Sequence, residues 1–86
     1  MLILAPMPRF YFDLHNDVDA IDREGKELGD LVEARKIALK AAREMIAASA
    51  EEGHINLNHF IQVREESGKI ADRITFGEAI SIVPQH

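Results

Sequence analysis

Eighty-six residues, 47% of them apolar, make one domain, and a chain of this size buries only around 60–65% of the surface that its unfolded form exposes. The absence of cysteine excludes disulfides and zinc–thiolate centres and leaves oligomerisation as a common remedy for a small core. Fifteen acidic residues against ten basic ones give a net charge of −5, which repels phosphate backbones and anionic membranes and argues against nucleic acid as a partner.

The chain opens with a short apolar cluster, Leu2, Ile3 and Leu4, stopped by Pro6 and again by Pro8. It reads as a loose tail, an edge strand, or a cover for part of a helix. MLILAPM lacks the basic flank and long apolar centre of a secretory signal, and no apolar run reaches the length of a membrane span. A cytoplasmic protein is expected, with residues 1–6 an N-terminal extension and residues 7–86 a single α+β domain.

Arg9 to His15 alternates: Phe10, Phe12 and Leu14 point one way, and Arg9, Tyr11, Asp13 and His15 the other. The pattern is that of a half-buried strand. Asn16-Asp17 then reads as a turn and Val18 to Asp22 as a shorter returning strand, followed by Asp22-Arg23-Glu24-Gly25, whose glycine suits a left-handed position.

Asp30 to Gly53 is the one long element. Asp30 with Glu33 has the spacing of a capping box, Gly53 closes the other end, and the interior holds seven alanines with no Gly or Pro. At about 100° per residue, Leu31, Ala34, Ile37, Ala38, Ala41, Met45 and Ala48 share an inner arc. So many alanines bring the helix axis close to its neighbour, which suits packing on a sheet. A second stripe, Val32, Leu39 and Ile46, recurs every seven residues on the flank. It is covered either by a terminal segment or loop of the same chain or by a second copy, which makes these three residues the candidate interface.

After a connection at His54 to Asn58, His59 to Glu65 and Lys69 to Phe76 flank Glu66-Ser67-Gly68 as a second hairpin. Ile61, Val63, Ile70, Ile74 and Phe76 are expected inward, and Asp72 interrupts the alternation at a bulge or a strand end. The expected architecture is therefore a small antiparallel sheet in β-β-α-β-β order with one long helix on one face. Roughly 21 helical residues span ~32 Å, against ~23 Å for a seven-residue strand. A helix that overhangs a one-sided sheet and carries a spare apolar flank is the reason to expect a homodimer.

The densest polar cluster is Asp13, His15, Asp17 and Asp19. Carboxylates plus an imidazole suit a divalent ion, which makes these the candidate metal ligands. Turn-forming Asp and Asn on a solvated hairpin explain the same letters and are favoured. Tyr11, Phe60, Arg64 and Arg73 fall on the open sheet face, as in sheets that stack single-stranded RNA, but the net charge of −5 opposes that use. No serine lies on a strained turn beside a base, and no glycine-rich loop opens a helix. Neither an enzyme nor a bound cofactor is indicated.

The segments MPRFYFDLH at Met7 to His15, DREGKELGDLVEARKIALKAAREMI at Asp22 to Ile46, IQVREESGKI from Ile61 and ITFGEAISI from Ile74 resemble an uncharacterised family of small bacterial proteins, a domain of unknown function. The similarity covers nearly everything from Met7 onward. It implies a compact fold and a bacterial cytoplasm, and it transfers no catalytic residue. On this basis the chain reads as a non-enzymatic interaction or regulatory domain acting as a homodimer, with a metal- or small-ligand-binding protein using the Asp/His-rich hairpin as the alternative. No protein partner other than a second copy is indicated.

Overall fold

The structure, a computed structural model, describes residues 7–84, so the readings placed on residues 1–6 lie outside it. Along the chain run β1 (Arg9–His15), β2 (Lys26–Glu27), α1 (Leu31–Glu51), β3 (Phe60–Glu65), β4 (Ile70–Thr75) and a single-turn α2 (Phe76–Ala79). The four strands form one antiparallel sheet in the order β2-β1-β3-β4. With α1 on one face, this is the α+β architecture expected from the pattern.

The helix begins where the capping residues place it. The Asp30 carboxylate accepts from the Glu33 amide at 2.9 Å, while the Glu33 carboxylate accepts from the Gly29 amide at 2.9 Å. Gly53, at φ 100°, follows its end. Ala34, Ala38, Ala42 and Ile46 form the fully buried line. Its alanines let α1 lie close over Ile61, Val63 and Ile74, with Phe10 and Phe76 completing the core. From Ala34 to Ile46 this line is ~18 Å long, close to the ~20 Å of a six-residue strand. Beyond Ile46 the helix runs on to Glu51 with no buried residue, so the expected overhang lies at its C-terminal end. Leu31 and Ala48, assigned to the inner arc by periodicity, are exposed: Ala48 lies on the overhang, and Leu31 borders an open depression beside Phe10, Glu65, Lys69 and Ala71.

Two expectations are corrected by the packing. The returning strand at Val18 to Asp22 is only a single bridge between Leu14 and Ala20, and the paired strand is the shorter β2 further along. Ile70, expected inward, is 47% exposed. The register shifts between Val63 and Arg64, so that Val63 faces Asp72 while Arg64 faces Ile70. Ala71 is the extra residue of that bulge, and everything before it changes face.

The candidate interface of Val32, Leu39 and Ile46 is also divided. Ile46 belongs to the core and Leu39 packs half-buried against it, while Val32 stays 64% exposed. The cover comes from the chain itself. Arg35, Leu39, Arg43 and Ile46 share a sector of about 80° on the helix, and this is the sector that meets β4 and α2. The Arg43 Nε donates to the Ala79 carbonyl at 2.8 Å, and Arg35 reaches Asp72 at 2.8 Å and Glu78 at 3.7 Å. Of the two covers that the sequence left open, the terminal segment of the same chain occupies this flank.

Candidate functional site

The face of the sheet opposite α1 is not empty. Asp13 lies on it at 1% exposure, the one buried polar or charged residue among those described. Burial of a carboxylate demands hydrogen bonds and a counter-charge, and both are present. The Arg64 Nε donates to Asp13 Oδ2 at 3.0 Å, its Nη2 donates to Oδ1 at 3.3 Å, and the Asp22 amide donates to Oδ1 at 3.0 Å. The same Nη2 donates to the Asp22 carbonyl at 3.0 Å. Alternation along β1 and β3 explains the meeting, because Tyr11 pairs with Arg64 and Asp13 with Gln62 in the strand register. All four therefore project to one side.

Asp22 organises the segment that lies over Asp13. Its Oδ2 accepts from the Phe12 amide at 3.0 Å, and its Oδ1 accepts from the amides of Glu24 and Gly25 at 3.1 Å each. The carboxylate thus stands where a neighbouring strand would place a carbonyl, and it folds the turn that follows. Gly25 adopts φ +69°, and a side chain there would come within 2.9 Å of both Arg9 Cγ and Tyr11 Cε1. Only glycine combines that backbone angle with so close an approach. Burial pushes the Asp13 carboxyl up, and the Arg64 guanidinium and the Asp22 amide more than reverse this, so it sits below the ordinary carboxylate value. For Asp22, burial raises the value and the amides of Phe12, Gly25 and Glu24 outweigh it, again with a net lowering.

Next to this knot lies a layer of rings and guanidinium groups. The His15 ring stacks on Phe60 with centroids 4.7 Å apart and 19° between planes. The Arg73 guanidinium lies 3.7 Å from the Phe60 centroid, and that of Arg64 lies 4.6 Å from Tyr11. His15 comes from β1 and Arg73 from β4, so Phe60 on β3 is flanked from both neighbouring strands. Nδ1 of His15 meets Asp19 at 3.1 Å, and its buried Nε2 has no hydrogen-bond partner among the described residues.

The candidate metal set is not assembled. Asp13 is filled by Arg64 and an amide, His15 pairs with Asp19, and Asp17 instead approaches Nε2 of His59 at 3.5 Å. Strands β1 and β3 are adjacent, yet Phe60 rather than His59 stands opposite His15. His59 therefore turns to the other face, edge-on to Phe76 at 5.8 Å. Among the described residues, no group of three or more His, Asp or Glu side chains is placed to hold an ion. Arg64 and Asp22 were the residues that sequence reasoning undervalued. A mid-strand aspartate alternating with aromatic neighbours was the available signal, because such a position requires a cation on the same face.

Fold and site together define a two-layer α+β domain in which one helix covers a four-stranded sheet and an aspartate-held segment closes the outer edge of β1. The chain belongs to the family described as Domain of unknown function (DUF6894), whose model matches residues 9–77, from the start of β1 into α2. Comparison with curated proteins gave no match, and comparison with solved structures gave none.

Proposed function

We propose that this chain is a small non-enzymatic interaction or regulatory domain that acts as a homodimer, using the sheet face opposite α1. The observation that carries the reading is the surface around Phe60. Tyr11, His15, Phe60 and Arg64 are half-buried there, Arg73 is exposed over the Phe60 ring, and Ile70, opposite Arg64, is 47% exposed. Aromatic and arginine side chains held in fixed stacks contribute large contact area at small conformational cost, the composition that concentrates binding energy in protein interfaces. The ionisable groups beside them are bound to one another, which supports recognition over catalysis. A bacterial cytoplasm is the setting that the family resemblance suggests.

Sedimentation equilibrium at low micromolar concentration tests the reading. The expected result is a species of twice the 9.7 kDa chain mass, converted to the monomer by Phe60→Glu with the far-ultraviolet circular dichroism unchanged. A single monomeric species across the accessible concentration range would remove the homodimer.

A further inference from the structure

On its inner edge β1 pairs with β3 from Phe10 to His15. Its outer edge is closed differently. Backbone meets backbone at Leu14 and Ala20, 2.9 Å in each direction, and again where β2 faces Arg9 and Phe10. Between these points the Phe12 amide is held by a side chain, the Asp22 carboxylate. The same carboxylate gathers the amides of Glu24 and Gly25, while Asp13 and Arg64 grip the Asp22 amide and carbonyl.

The rest of the segment is lightly attached. His15 and His59 reach Asp19 and Asp17, whose side chains are 62% and 80% exposed. Its apolar residues, Val18 and Ile21, are 76% and 52% exposed and contribute little burial. A segment held by the backbone pair at Ala20, by the contacts of Asp22 and by the Arg9 Nη1 donating to the Glu24 carbonyl at 2.7 Å, with almost no apolar area against the core, has the features of a unit that opens below the global unfolding free energy.

We propose that residues 16–25 form a strap that detaches as a unit from β1 while the helix and the other strand pairings stay folded, with Asp22 as its latch and Asp13 and Arg64 as the catch. Opening leaves the outward backbone groups of Phe12 and Leu14 unpaired and uncovers the Asp13 carboxylate. The edge of β1 changes from closed to open, while β2 keeps Arg9 and Phe10 paired.

Native-state hydrogen exchange on the full chain, followed amide by amide, tests this. The amides of Phe12, Leu14, Ala20, Asp22 and Gly25 should exchange through one shared opening, at least tenfold faster than those of Ile61 and Val63. Asp22→Ala should accelerate that set by a further tenfold or more, while the Ile61 and Val63 amides, which exchange through global unfolding, remain at least tenfold slower than the strap. Asp22→Asn, which keeps one acceptor oxygen for the Phe12 amide, should fall between. Exchange of the strap at the rate of the β3 core in the unmodified chain overturns the proposal, and so does an Asp22→Ala chain in which the strap is not accelerated or in which strap and core exchange at one rate.

Discussion

Asp22 satisfies three backbone amides with one carboxylate, so a single side chain supplies what two or three residues of strand would otherwise provide. A hydrogen bond to a charged group is worth about 1.5–3 kcal/mol; because Asp22 is only half-buried and water replaces its carboxylate at the freed amides, Asp22→Ala is expected to lower the unfolding free energy by about the value of one such bond. Urea denaturation would measure it. Both Asp13 and Asp22 are held below the ordinary carboxylate value in the folded chain. Their contribution is therefore present above about pH 4, where the unfolded chain is ionised, and is lost as the pH falls through the folded values. The urea midpoint should drop on acidification below about pH 4, and Asp22→Asn should flatten the drop. At Gly25, alanine would meet both the positive φ and the 2.9 Å contacts with Arg9 and Tyr11, and a loss of about 1–3 kcal/mol is expected. Its position was legible in the sequence as a turn glycine. The contacts that make it obligatory were not, because they come from Arg9 and Tyr11 on β1, well outside the turn.

At the scale of elements, α1 was readable end to end because its information is local: a capping aspartate, alanines at helical spacing and a closing glycine. Which neighbour each flank meets is not local. Val32, Leu39 and Ile46 look equivalent by period, yet the polar contacts to β4 and α2 are made by Arg35 and Arg43, beside Leu39 and Ile46, while Val32 stays exposed. The expected outcome differs accordingly along one stripe. Ile46→Lys places an ammonium in the core and should cost at least the about 2–5 kcal/mol of a large-to-small change there, whereas Val32→Lys should stay within about 0.5 kcal/mol. Thermal unfolding of the two variants would show the contrast, and equal effects would contradict the packing of α2. The β4 bulge follows the same logic. Asp72 announced an irregularity, but only the pairing with Val63 and Arg64 settles that Ile70 turns outward.

For the whole molecule, small size and a thin core make assembly and folding hard to separate. If two copies share the face around Phe60, the melting temperature should rise with protein concentration. Scanning calorimetry across a hundredfold dilution would check this, and a concentration-independent transition would count against the dimer. The sequence by itself determined β1, α1, β3 and β4 and the β-β-α-β-β order, since periodicity, caps and turn residues act over a few neighbours, but it misplaced the second strand, which lies at Lys26–Glu27. It determined as well that one sheet face receives a helix lined with alanine. Only the tertiary structure decided that Asp13 answers to Arg64, that α2 comes over the flank beside Leu39 and Ile46, and that Asp22 stands in for a strand. Those outcomes depend on which of several compatible charges and apolar groups arrive at the same place, and that is set by register and chain reversal across fifty residues, beyond the reach of any local pattern.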